Sequence, residues 1–170
     1  MTKNGILCEI NGKRVYLDPK NPDSTGVNFV SHAHSDHLPS KNGGTILSSL
    51  ETSEIANLRG FKMENHLQSI DDFSLIDSGH ILGARGLLFD DVFYTGDICT
   101  RSRGFLKGAV IPKCKTLITE CTFGLPEFIF PKLEEIQKQV NELISEFYGK
   151  GIPVILLGYQ LGKAQTITQL

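Results

Sequence analysis

The sequence predicts an α/β protein, and three observations carry that expectation. The N-terminal half reads as short strands cut by turn residues. Residues 131–148 place apolar side chains at three- and four-residue spacing, the signature of an amphipathic helix. Composition is that of a globular chain: 170 residues, 40% hydrophobic and 21% charged, which excludes disordered, collagen-like and coiled-coil classes. The length suits one domain with a real core.

Taken in order, Ile6–Ile10 and Arg14–Leu17 flank Asn11-Gly12, a strong hairpin signal. Val27–Ser31 is a β-rich run that ends at a cluster of histidines, and Thr45–Ser48 is a further strand candidate. Ser53–Leu58 reads as a short helix stopped near Gly60. Phe73–Ile76, Gly86–Phe89 and Val92–Thr95 are strand-like, the last two joined by Asp90-Asp91, and Lys115–Thr119 follows. Pro131 then opens a helix to about Tyr148, whose stripe of Leu133, Ile136, Val140, Leu143, Ile144 and Phe147 is expected to be buried. Pro153–Leu157 is continuously apolar, as in a strand covered on both faces. Gly162 precedes a helix start, and the chain stops at Leu170 within that pattern.

The net charge of −2 excludes a uniformly basic nucleic-acid coat but leaves room for a local basic groove. No apolar run approaches the ~20 residues of a membrane span. The start, Met1-Thr2-Lys3-Asn4-Gly5, has no apolar leader, so a cytoplasmic, reducing location is expected. The four cysteines, Cys8, Cys99, Cys114 and Cys121, form no C-x-x-C pair and are expected as free thiols.

Ser31-His32-Ala33-His34-Ser35-Asp36-His37 carries the strongest chemical signal, with three of the protein's five histidines. At this composition H-x-H-x-D-H arises by chance in roughly one such chain in several thousand. Neutral imidazoles and a carboxylate suit Zn²⁺ and its neighbours. A tight loop after a strand can aim His32 and His34 at one metal and Asp36 and His37 at a second. His80 and Asp97 each follow a glycine at a strand end, where the backbone can turn sharply, and they are read as further ligands, Asp97 as a bridge between two metals. Asp18 closes the second strand before Pro19. It is either a turn initiator or a carboxylate that accepts a hydrogen bond from the histidine loop and sets its geometry. His66 has no such context and reads as a surface or half-buried histidine.

These residues resemble the successive motifs of the metallo-β-lactamase fold, with Asp18 matching the family's first aspartate. His80-Ile81-Leu82-Gly83-Ala84 and Tyr94-Thr95-Gly96-Asp97 are similar to the β-CASP nucleases. Leu117–Gly124 resembles β-CASP motif A, with Glu120 in its acidic position, and Gly158–Gln165 resembles the segment entering the β-CASP insert. Thr122–Pro126, followed by Phe128, Phe130 and Pro131, is most similar to the branch of ligase-associated DNA exonucleases and archaeal 3′-end RNA-processing exonucleases.

The resemblance implies an αββα four-layer sandwich, here incomplete, lacking most of the β-CASP insert and the C-terminal return. Residues 1–150 would form the metallo-β-lactamase-like core and 151–170 the start of the β-CASP-like segment. It implies a nuclease acting on RNA or a single-stranded DNA end, an exonuclease of nucleic-acid processing. Two divalent metals, most simply zinc, would sit about 3.5–4 Å apart and activate a hydroxide for attack on phosphate. Asp36 and Glu120 would be the catalytic carboxylates. The family's motif B and C histidines lie beyond residue 170, so the second metal site would be incomplete. Arg101, Arg103 and Lys163 are candidate phosphate contacts, the first two from a basic stretch that follows Asp97, although a solvated loop explains that stretch as well. Phe123, Phe128 and Phe130 either stack on bases or pack together. Two alternatives stay open: a small-molecule hydrolase of the same fold, and a catalytically incomplete fragment that binds metal or a partner. No membrane partner is expected; an exposed core edge would favour a homo-oligomer.

Overall fold

The computed structural model describes residues 4–169, so the start at Met1–Lys3 and the end at Leu170 lie outside them. The chain forms two compact units. One runs up to Ser102 and includes Leu106–Glu120; the other comprises Arg103–Phe105 and the residues from Cys121 on.

The first unit is α/β. Strands β1 (Ile6–Ile10) and β2 (Lys13–Leu17) form the expected hairpin, and Asn11 and Gly12 both take positive φ, as a tight two-residue turn requires. Strands β3 (Val27–Phe29), β4 (Thr45–Leu47) and β5 (His66–Leu67) extend this sheet in the order β1-β2-β3-β4-β5, parallel from β2 onward. β5 has only two residues, too few to show an alternating pattern, and was not visible in the sequence. The second sheet has the order β6 (Phe73–Asp77), β7 (Arg85–Phe89), β8 (Val92–Tyr94), β9 (Thr116–Ile118), with β8 and β9 parallel.

The two sheets share one core. Val15, Leu17, Phe29 and Leu47 from the first meet Leu87, Phe89, Val92 and Tyr94 from the second. Phe29 stands edge-on to Tyr94, with ring centres 6.2 Å apart. Each such fully buried large side chain contributes about 1.5–3 kcal/mol. On the other face of the first sheet, Ile46 packs with Val30, Leu38, Met63 and Ala56 of helix α1 (Leu50–Leu58). Helix α1 starts before the expected Ser53 because the Ser49 hydroxyl accepts from the Thr52 amide and caps it. The four cysteines are free thiols.

The second unit carries helix α2 (Leu133–Gly149) and the short α3 (Lys163–Ile167). The stripe on α2 is where the spacing placed it, but it is not buried: Leu143 is exposed and the other five members are half-buried. Pro153–Leu157 belongs to neither sheet, and Leu157 is 89% exposed. An apolar run becomes a strand only when a neighbour supplies the ladder, and apolarity alone does not report that neighbour. Among the described residues no helix is long and apolar enough to cross a membrane.

Candidate metal centre

The chemical residues of the first unit emerge where strands end. Asp18 follows β2, Ser31-His32 follows β3 after Val30, Ser78-Gly79-His80 follows β6, Thr95-Gly96-Asp97 follows β8, and Glu120 lies just past β9. Two glycines make the approach possible. Gly79 (φ +66°) lies so close to the backbone of Cys99 and Lys107 that a Cβ would collide with both carbonyl oxygens. Gly96 (φ +56°) lies against the side chain of Ser31.

His32, His34, His80 and Asp97 converge, with one donor atom from each lying within 4.8 Å of all the others. His34 Nδ1 is 2.9 Å from His32 Nε2 and 3.2 Å from His80 Nε2. Asp97 Oδ2 lies 3.7 Å from His32 Nε2 and 3.4 Å from His80 Nε2. A tetrahedral zinc ion, with bonds of about 2.0–2.1 Å, separates neighbouring donors by roughly 3.3 Å. These contacts bracket that spacing, and three imidazoles with one carboxylate are a donor set that a divalent ion accepts.

The other oxygen of Asp97, Oδ1, lies 3.3 Å from His37 Nε2. Asp36 Oδ2 is 3.7 Å from the same nitrogen, but the Asp36 side chain is 78% exposed. Asp97 therefore stands between two groups: His32, His34 and His80 around a buried ring on one side, and half-buried His37 with exposed Asp36 on the other.

Behind the histidines sits Asp18. Its Oδ1 accepts the Ser31 amide at 2.7 Å; its Oδ2 accepts the Ser31 hydroxyl, the Tyr94 hydroxyl and His37 Nδ1, each at 2.7 Å. Ser31 Oγ also lies 3.0 Å from His32 Nδ1. The loop is fixed from outside too. The Arg59 guanidinium donates to the Ala33 carbonyl, and the Lys20 ammonium donates to the carbonyls of Ser35 and Leu38 at 3.0 and 3.2 Å.

Electrostatics separate the two groups. Burial holds His32 neutral, far below the usual imidazole range, and the charge of His37 adds to this against the pull of Asp97. Burial also opposes charge on His37, yet the hydrogen bonds and charges of Asp18 and Asp97 override it and raise that group to about 10. Burial pushes the Asp97 carboxyl up, but the His37 hydrogen bond and the neighbouring imidazoles hold it below the usual carboxylate range. Burial and then Asp18 push the Tyr94 hydroxyl far up, so it remains a donor.

The remaining candidates are placed as follows. Glu120 Oε1 accepts the Ile98 amide at 2.9 Å, one residue beyond Asp97, so it holds the loop that presents Asp97. Arg101 is exposed, and the backbone of Cys99 and Lys107 from the same basic stretch packs behind Gly79, beside His80. In that stretch Lys115 pairs with Asp91 at 2.6 Å. Arg103 belongs to the second unit, as does Lys163, whose ammonium lies 4.7 Å from the centre of the Tyr159 ring. The amide of Gly162 donates to Gln165 Oε1 at 2.7 Å, so that amide is not available to an anion. Phe123, Phe128 and Phe130 pack on one another, with centres 5.0–6.4 Å apart. His66 donates to or accepts from nothing in the centre; its Nε2 lies 3.1 Å from the Ser48 carbonyl. Sequence reasoning assigned no role to Ser31, Tyr94, Arg59 or Lys20. Ser31 and Tyr94 lie inside the motifs it quoted, and their neighbourhood there is the one signal that pointed to them.

No family model matches the chain. It is 30% identical over 153 residues to a probable DNA ligase of Opitutus terrae, an alignment covering 82% of this chain and 15% of that protein. It is 35% identical over 101 residues to an RNase J-like protein of Methanocaldococcus jannaschii, covering 56% and 24%. It is 30% identical over 102 residues to the transcription termination factor FttA of the same archaeon, covering 55% and 16%. The chain thus spans less than a quarter of the length of each of these relatives.

Proposed function

We propose, for a chain that belongs to the β-CASP family of metallo-β-lactamase-like nucleases, that its strand-end centre serves metal-dependent hydrolysis of phosphodiester bonds in RNA or DNA. The single observation that carries this is Asp97, whose Oδ2 faces His32 and His80 while its Oδ1 faces His37. One carboxylate shared by two nitrogen groups is the arrangement that a two-ion phosphodiesterase needs.

His32, His34, His80 and Asp97 would hold one divalent ion, and Asp36, His37 and Asp97 a second, more weakly bound one. When bound, such ions supply the charge that neutralises a scissile phosphate and lowers the pKa of water. Hydrolysis adds water across a P–O bond, so one proton leaves the attacking water and one reaches the departing oxygen. Asp36, exposed beside His37, would orient that water and take its proton. Glu120 acts by holding the Asp97 loop rather than at the reacting atoms. Asp18 accepts from His37 Nδ1, so Nε2 is the His37 atom that would turn to the site, as a ligand once the ion takes the place of its proton. Arg101 would contact phosphates without regard to sequence. The resemblance to ligase-associated exonucleases fits a relative in which the matched stretch is a small part of a probable DNA ligase. The four-layer sandwich and the division of residues 1–150 from 151–170 belong to the same reading.

The test is zinc analysis of the purified chain, followed by cleavage of end-labelled RNA and single-stranded DNA. We expect metal-dependent shortening of one of them and its loss in His34→Ala and Asp97→Asn. Equal cleavage by wild type and His34→Ala would show that the activity arises elsewhere. The openness of the Asp36 side supports one competing reading, a chain that binds a single ion and does not turn over. That reading predicts one tightly held ion per chain and no shortening of either substrate.

A further inference from the structure

We infer that Ser31 is a positioning residue that sets the tautomer of His32 and so turns the Nε2 lone pair of that ring into the site. Its consequence for ligation rests on the metal-centre reading above, while the hydrogen-bond argument does not. Ser31 Oγ lies 2.7 Å from Asp18 Oδ2 and 3.0 Å from His32 Nδ1. A serine hydroxyl has one proton and two lone pairs. The carboxylate of Asp18 offers acceptors only, and it already receives the Ser31 amide, the Tyr94 hydroxyl and His37 Nδ1. The Ser31 proton therefore goes to Asp18, and what Ser31 presents to His32 is a lone pair. The contact is a hydrogen bond only if Nδ1 of His32 carries the ring hydrogen.

A neutral imidazole with hydrogen on Nδ1 has its lone pair on Nε2. That nitrogen points to His34 Nδ1 at 2.9 Å and Asp97 Oδ2 at 3.7 Å. The His32 side chain is 0% exposed, so bulk water cannot take the place of Ser31 as its partner. Ser31 Oγ lies 3.5 Å from His37 Nδ1, a longer contact, because that N–H is already given to Asp18. One carboxylate thus orients both groups: His37 directly, and His32 through an interposed hydroxyl. Gly96 keeps the space this needs, since a Cβ there would lie 2.6 Å from Ser31 Cβ and 2.8 Å from its Oγ.

The experiment uses long-range ¹H–¹⁵N correlation spectra of the full chain in a metal chelator near neutral pH, where the two neutral tautomers have different nitrogen shifts. We expect His32 as the Nδ1–H form in wild type and in Ser31→Thr, and as a mixture or the Nε2–H form in Ser31→Ala. Competition of zinc against a chromophoric chelator should show affinity falling about 10–100-fold in Ser31→Ala and staying within a few-fold of wild type in Ser31→Thr. Wild-type His32 in the Nε2–H form overturns the inference by itself, whether or not Ser31→Ala folds. So does Ser31→Ala with an unchanged tautomer or unchanged zinc affinity. Wild type that binds no zinc would sink the metal-centre reading, whereas a tautomer shift on losing the hydroxyl would still uphold the control of His32 by Ser31.

Discussion

The two compact units carry similarly apolar segments and treat them in opposite ways. Val92-Phe93-Tyr94 is buried throughout, because β8 has β7 on one edge, β9 on the other and a second sheet across its face. Val154-Ile155-Leu156-Leu157 is as apolar, yet it lies in neither sheet and three of its four residues are exposed. The lesson is that partners, rather than composition, decide burial. It extends to chemistry: all six residues of the candidate centre belong to the unit that contains both sheets.

The sharpest test of that contrast is a truncation in the shared core. Phe29 is fully buried and meets Tyr94 across the two sheets. Phe29→Ala should lower the stability of the first unit by about 3–5 kcal/mol, through lost burial and the cavity left behind. Hydrogen exchange of the amides in β3 and β7 reads that unit alone. A loss below about 1 kcal/mol would mean that the sheets are not pressed together as described.

Next in size is Asp18. Asp18→Ala leaves the Ser31 amide and hydroxyl, the Tyr94 hydroxyl and His37 Nδ1 without their shared acceptor, which should cost about 3 kcal/mol. Zinc affinity should fall about 10–100-fold as the rings lose their orientation. Asp36→Ala, at a side chain 78% exposed, should leave stability within about 0.5 kcal/mol of wild type. If the two variants unfold alike, the buried and open sides of the centre do not differ as described.

What could be read from the sequence follows from how local each signal is. H-x-H-x-D-H is visible because its residues are contiguous and chemically alike. His80 and Asp97 are visible because a glycine at a strand end precedes each. The hub on Asp18 is not visible, because it joins residues 13, 19 and 76 positions apart and appears only when two sheets bring Ser31, His37 and Tyr94 to one carboxylate. The strands of the first unit other than β5 were legible from β-rich runs and turn residues. The absence of Pro153–Leu157 from both sheets was not, because no local pattern reports a missing neighbour. Glu120 stood out by its motif, but its contact with the Ile98 amide depends on β9 lying beside β8.

A smaller effect should follow pH in chelated protein. His37 is raised in the folded state from 6.5 to about 10, so folding binds its proton more tightly than the unfolded chain does. The stabilisation is complete below the unfolded value of 6.5 and is lost as pH rises through about 10. Denaturant midpoints of wild type and His37→Gln should therefore diverge toward neutral pH and converge in alkali. Parallel curves would mean that the Asp18–His37 contact does not hold a proton in solution.

The smallest expected effect bears on the second unit. Leu157 is 89% exposed, so Leu157→Ser removes almost no area from a core and should change stability by less than about 0.5 kcal/mol. The prediction is informative because the same substitution in a strand buried on both faces, which the apolar run suggested, would cost several kcal/mol. Hydrogen exchange in α2 and α3, compared between wild type and Leu157→Ser, separates the two cases without reference to the first unit. Unchanged protection means the run has no partner within this chain. A large loss would mean that Pro153–Leu157 finds a strand neighbour after all, and the contrast between the units would then be one of degree.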